Sequence, residues 1–158
     1  MTVKRVALIT GGAQNIGAAI ARRLGADGCT VAVNYLTSVA PANSLVDELT
    51  AQGVDATAIA GDVGDPEKAQ KIFAAIVEKY GGVDILVNNA GKDMGGAIAI
   101  SDTDEALYDA LFAINTKGSF NMMREAARHM RDGGRIINIS TSLIGLALPG
   151  RCGAQARG

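Results

Sequence analysis

The stretch with the clearest chemical potential is Thr10-Gly11-Gly12-Ala13-Gln14-Asn15-Ile16-Gly17. It follows a short apolar run, Arg5 to Thr10, and opens a helical pattern in which Ile16, Ala19, Ile20 and Leu24 share one face. Glycines let a backbone turn tightly and come close to a pyrophosphate. The helix that follows adds unpaired N–H groups and the positive end of its dipole. A glycine-rich turn alone is only a tight connection; strand, turn and helix in this order point to a phosphate site. Folds that select NAD usually carry Asp or Glu at the end of the second strand, where it binds the ribose 2′-OH. Here that run ends Asn34-Tyr35-Leu36-Thr37-Ser38, with no carboxylate to repel a 2′-phosphate. Asn34 and Ser38 can hydrogen-bond one, although no arginine occupies the loop positions held by Gln14 and Asn15. NADP is therefore the expected cofactor, with NAD as the alternative.

Such a site needs elements to hold it. Apolar runs alternate with helical patterns along the whole chain. Strands are expected at Arg5–Thr10, Cys29–Asn34, Ala56–Ala60, Val83–Asn88 and Arg135–Ser140. Between them lie a helix opened by the glycine turn, one from about Pro41 to Gln52, and one started by Asp65-Pro66 and stopped by Gly81-Gly82. A long helix capped by Thr103 is expected to reach about Arg131, where Gly133-Gly134 break it. The strands are continuous apolar runs rather than alternating ones, so both of their faces should be covered. The expected fold is α/β, a doubly wound, Rossmann-like parallel sheet of five strands in the order 3-2-1-4-5. Ligands of such sheets lie beyond the strand ends at the switch point, here between strands one and four. Gly11–Gly17 and Asn88–Gly91 end those two strands.

Composition narrows the classes. The 158 residues, 48% hydrophobic and 20% charged, suit one globular domain. A net charge of −1 gives no electrostatic case for nucleic acid or a membrane surface. No apolar run is long enough to span a bilayer or form a signal-peptide core, and a cytoplasmic protein is expected. Cys29, Cys152 and His129 are the only cysteines and histidine, so neither a disulfide framework nor a metal site is expected.

The glycine loop resembles the Thr-Gly-x-x-x-Gly-x-Gly loop of the short-chain dehydrogenase/reductase family, with Asn15 at the usual middle glycine. Asn is the residue other than glycine best suited to positive φ, so the loop should keep its shape. Further similarities follow in the family's order. Asp62-Val63 looks like its adenine-contacting pair, and Asn88-Asn89-Ala90-Gly91 like its Asn-Asn-Ala-Gly motif. Asn115 looks like its helix asparagine, and Asn138-Ile139-Ser140-Thr141-Ser142 like the strand bearing its serine. The resemblance spans about residues 3–150. It implies hydride transfer between a nicotinamide and a small-molecule carbonyl or alcohol. It assigns Thr10, Gly11, Gln14, Asn15, Ile16, Gly17, Asp62, Val63, Asn89, Ala90 and Gly91 to the cofactor, beside the Asn34 and Ser38 read from the end of the second strand, and Asn115 and Ser142 to catalysis. The serine stays open among Ser140, Thr141 and Ser142; Ser142 best matches the family's distance to the following glycine, Gly145.

The family's Tyr-x-x-x-Lys pair should follow Pro149-Gly150, but the chain reads Arg151-Cys152-Gly153-Ala154-Gln155-Ala156-Arg157-Gly158. Free tyrosine has a pKa of about 10 and needs adjacent positive charge to act near neutrality. Without that pair the expectation is one dinucleotide-binding domain, incomplete at its C-terminus, whose oxidoreductase chemistry is impaired or lost. The alternative is a non-catalytic dinucleotide-binding module. An FMN-binding, flavodoxin-like domain leaves Asn88–Gly91 and Asn115 unexplained. Strand five becomes an exposed edge. The helix that commonly forms half of the family's dimer interface is expected to be missing, so the resemblance leaves the usual homo-oligomer open.

Overall fold

Helix α3 (Pro66–Tyr80) shows how local the instructions are. Asp65 caps it, with Oδ1 accepting the Glu67 and Lys68 N–H groups at 2.9 and 3.2 Å. Pro66 occupies the first turn, where a missing N–H costs nothing. Gly81 ends the helix at φ +77°, a conformation that disfavours a side chain. Ala69, Ile72, Phe73 and Ile76 form its buried stripe.

The computed structural model describes residues 4–93 and 98–141. Strands β1 (Val6–Ile9), β2 (Thr30–Tyr35), β3 (Ala56–Ala60), β4 (Val83–Asn88) and β5 (Met130–Asn138) form one parallel sheet. Its order is β3-β2-β1-β4-β5, the expected one. Helices α1 (Asn15–Ala26) and α2 (Val39–Ala51) pack on one face, where Ala7, Ile9, Val31 and Val33 meet Ala21, Leu45 and Leu49. On the other face Val6, Leu8 and Leu86 meet Ile72, Phe73 and Ile76 of α3 and Met122 and Ala126 of α5 (Ser119–His129). Alternate residues of β1 thus feed opposite cores. Apolar side chains are needed on both sides, hence the unbroken Val-Ala-Leu-Ile run.

Several boundaries differ from the expected ones. Helix α2 begins at Val39, two residues before Pro41. Proline is tolerated there because first-turn N–H groups have no helical acceptor. Asp104, not Thr103, caps α4 (Glu105–Phe112): its carboxylate accepts the Leu107 N–H at 2.7 Å, while the Thr103 hydroxyl donates to the Ala99 carbonyl. The single long helix is divided into α4, a π-helical segment at Ala113–Gly118, and α5.

The helix also stops at His129 rather than Arg131, and β5 spans Met130–Asn138 rather than Arg135–Ser140. The cause is Arg131. Its guanidinium donates to Asp84 Oδ2 at 2.7 Å and to the Tyr80 carbonyl, drawing the chain alongside the start of β4. Gly133-Gly134 then fall within the strand, absorbed as a register irregularity opposite Val83 and Ile85. Among the described residues β5 pairs only with β4, and Ile136 and Ile137 are 42% and 45% exposed. Ile137 joins Ile16, Ile20, Leu24 and Val87 in lining an apolar groove between α1 and the sheet.

Candidate functional site

The ends of β1 and β4 are fastened by one threonine and one asparagine. Thr10 is buried; its hydroxyl donates to the Val87 carbonyl and accepts the Asn89 and Ala90 N–H groups, both at 3.0 Å. Asn89 answers from just past β4, with Nδ2 donating to the Thr10 and Gly11 carbonyls at 3.1 Å each. Gly11 takes φ +58°, and a Cβ there would stand 2.9 Å from Ala90 Cα. Gly17 brings α1 equally close, since a Cβ would stand 2.5 Å from the Gly11 carbonyl oxygen and 2.6 Å from Asn89 Nδ2. Asn15 adopts φ 49°, the positive value expected of the residue in the glycine's place.

Gln14 is the N-cap of α1, yet its side chain makes no capping bond to the first-turn amides. Gln14, Asn15 and Ile16 lie exposed at the start of that helix, where free N–H groups and the dipole favour an anion. Ser38 is likewise the N-cap of α2 without a side-chain capping bond. Both helix starts suit an anion.

Between them lies a cleft of about 170 Å³ across the strand ends. Gly11, Ala90 and Gly91 form one side, Asn34 and Ser38 another, and Asp62 and Val63 a third. Seven residues read from the sequence as cofactor contacts are thus gathered at one place. Thr10, Gly17 and Asn89 stand behind them as support. Leu36, Thr37, Gly61 and Ile114 also line the cleft but were not among the candidate residues. Thr37 had a usable signal, a hydroxyl between Asn34 and Ser38. Ile114 had none, because only the fold brings it there.

Two side chains are already committed. Asn34 is 2% exposed; its Nδ2 donates to the Ile59 and Gly61 carbonyls at 3.2 and 3.0 Å, while its own carbonyl accepts the Gly12 N–H. It therefore ties β2, β3 and the glycine loop together at the cleft wall. Asp62 Oδ1 accepts the Gly64 N–H at 2.8 Å. The neighbouring Val63 carbonyl is held by Asn121 Nδ2 at 2.9 Å, and Gly118 packs so near Val63 that a Cβ would meet its methyl at 2.7 Å. Asn121 and Gly118 are supports that sequence reasoning missed.

Asn115 sits in the π-helical segment, 5% exposed. Its Oδ1 accepts the Lys92 N–H at 2.8 Å and its Nδ2 donates to the Lys92 carbonyl at 2.9 Å. The amide thus pins the chain just beyond Gly91 to the helix. π-Helical turns release backbone groups from regular pairing and often mark functional sites. Ser142 lies outside the described residues, as does Cys152. Ser140 and Thr141 follow the end of β5. No group of three or more His, Cys, Asp or Glu among the described residues could hold a metal ion, and no described helix is long and apolar enough to cross a membrane.

A cleft built from these strand ends has wide precedent. The family described as short chain dehydrogenase matches residues 5–152. The chain belongs to the short-chain dehydrogenase family. It is 46% identical over 138 residues to versicolorin reductase 1 of Aspergillus parasiticus, covering 87% of this chain and 52% of that protein. It is 41% identical over 138 residues to a short chain dehydrogenase of Passalora fulva, covering 87% and 51%. Among solved structures, a dehydrogenase/reductase of Sinorhizobium meliloti superposes with a TM-score of 0.92 at 37% identity, over 99% of this chain and 62% of that one. A short chain dehydrogenase of Burkholderia cenocepacia in complex with NADP does so with a TM-score of 0.89 at 37% identity, over 98% and 62%. The chain spans about half the length of the fungal proteins it matches.

Proposed function

We propose that these 158 residues form the NADP(H)-binding part of a reductase acting on a small-molecule carbonyl. The observation that carries the reading is the cleft itself, where the glycine loop, the carboxylate-free end of β2, Asp62-Val63 and Ala90-Gly91 converge. The α1 start would receive the pyrophosphate. The hydroxyls of Thr37 and Ser38 would receive a ribose 2′-phosphate, because both amide hydrogens of Asn34 are spent on Ile59 and Gly61. Asp62 and Val63 would flank the adenine. Similarity to a structure in complex with NADP supports this preference, and similarity to proteins named reductases favours the reducing direction.

When bound, NADPH supplies a hydride to the carbonyl carbon, and a proton on the oxygen completes the alcohol. Ser142 would hydrogen-bond that oxygen. Asn115 would act through shape: its amide is committed to Lys92, so a relay water would rest on its main-chain carbonyl. No Tyr-x-x-x-Lys follows Ser142 within the 158 residues. These residues would therefore bind the cofactor without completing proton transfer, a deficit of about 10²–10⁴ in rate.

The test is NADPH oxidation by the 158-residue chain with a panel of ketones, aldehydes and quinones, alongside a fluorescence titration of NADPH. Binding with little or no turnover is expected. Rapid turnover would overturn the claim that the proton donor is missing, and absence of binding would overturn the whole reading.

A further inference from the structure

Asn88 and Asn138 end neighbouring strands and lie opposite each other in the β4–β5 register. Asn88 is 4% exposed, and its Nδ2 donates to Asn138 Oδ1 at 2.9 Å. The main chains are joined at the same level, where the Ile139 N–H donates to the Asn88 carbonyl at 2.9 Å. Asn88 Oδ1 is buried and has no hydrogen-bond partner among the described residues. A half-satisfied buried amide is a poor way to fill a strand end, since an apolar side chain would carry no desolvation penalty. Packing alone does not account for it.

Its position does. On one side Asn88 is followed by Asn89 and Ala90, whose N–H groups donate to the Thr10 hydroxyl, and by Gly91, which lines the cleft together with Ala90. On the other, Asn138 is followed by Ile139, Ser140 and Thr141, the hydroxyl-bearing approach to Ser142. We propose that the Asn88–Asn138 amide bond is a positioning contact that couples occupation of the cleft to the placement of Ile139–Thr141. The proposal rests on the dinucleotide reading given above. Cofactor seated against Ala90 and Gly91 restrains the end of β4, and the amide bond passes that restraint to the end of β5. Asn138 itself is exposed, and its Nδ2 donates to the sulfur of Met123 at 3.9 Å. Its replacement should leave the fold intact.

The test is backbone hydrogen exchange with and without saturating NADPH, in the wild type, Asn138→Ala and Asn138→Asp. In the wild type NADPH should slow exchange at Asn89–Gly91 and also at Ile139–Thr141, the latter by roughly three- to tenfold, the equivalent of one net hydrogen bond. Asn138→Ala should bind NADPH and keep the first effect while losing the second. Asn138→Asp retains an acceptor for Asn88 Nδ2 and should restore it. A purely structural contact would change exchange equally with and without NADPH. Equal NADPH-dependent protection of Ile139–Thr141 in wild type and Asn138→Ala would overturn the coupling, as would its absence from wild type that binds NADPH. Failure of the wild type to bind NADPH would instead remove the dinucleotide reading, and the coupling with it.

Discussion

Replacing Gly17 with alanine should unfasten the phosphate loop. A Cβ at this position would stand 2.5 Å from the Gly11 carbonyl oxygen, 2.6 Å from Asn89 Nδ2 and 2.8 Å from Gly12 Cα. Two of those three atoms are backbone, and the third donates the two bonds that hold the Thr10 and Gly11 carbonyls. Relief requires the loop or the start of α1 to move. Overpacking of this kind costs about 1–3 kcal/mol. Losing the two Asn89 bonds adds about 0.5–1.5 kcal/mol each. Alanine's better helix propensity returns about 1 kcal/mol. The net loss is about 1–5 kcal/mol, which lowers the melting temperature of a domain this size by roughly 3–20 °C. Gly28→Ala is the control: Gly28 takes φ +86° with nothing within 4 Å of a built Cβ, so only backbone strain of about 1–2 kcal/mol applies. Thermal unfolding and NADPH titration of both variants decide the matter. Gly17→Ala should lose both stability and affinity, whereas Gly28→Ala should lose stability alone. A Gly17→Ala protein with wild-type melting and wild-type affinity would refute the close-approach reasoning.

Other expectations follow from single contacts. Asn115→Leu removes both amide bonds to the Lys92 main chain, and at about 0.5–1.5 kcal/mol each denaturant unfolding should show a loss of about 1–3 kcal/mol. The Asp65 carboxyl lies below the usual aspartate range, chiefly because the Lys68 N–H donates to it; burial opposes this, and the Glu67 N–H adds to the lowering. Its contribution is therefore complete above the unfolded pKa of about 3.9 and disappears as pH falls through the lower folded value. Asn caps without titrating, so Asp65→Asn should flatten the stability–pH curve in that acid range only. Burial pushes the Cys29 thiol up, with the Arg5 charge opposing. In a Cys152→Ser background, thiol labelling at neutral pH should therefore track global unfolding; fast labelling of the native protein would contradict the placement of Cys29 in the core.

Much of the architecture was legible because it is local. Asp65-Pro66 and Gly81 mark a helix by capping chemistry alone, and the unbroken Val-Ala-Leu-Ile run of β1 demands cover on both faces. The cleft was legible because its walls are strand ends, and the glycine and asparagine motifs sit at strand ends. What was missed depends on distant partners. Arg131 leaves the helix because Asp84, far away in sequence, receives it. The π-helical segment around Asn115 has no periodicity signal, and its asparagine turns to Lys92 rather than to solvent. Asn34 reads as a ligand donor from the sequence, yet folding spends its amide on two carbonyls near the end of β3. Ile114 and Asn121 reach the site only through the packing of the α4–α5 region across the sheet end.

The most direct test is calorimetric titration of the folded 158-residue chain with NADPH and with NADH, at equal ionic strength. Saturable binding of one molecule per chain, tighter for NADPH, weakened by Gly17→Ala and displaced by 2′-phosphorylated adenosine, is the expected result. A folded chain that binds neither dinucleotide would contradict the assignment of the cleft, and tighter binding of NADH would contradict the role given to Thr37 and Ser38.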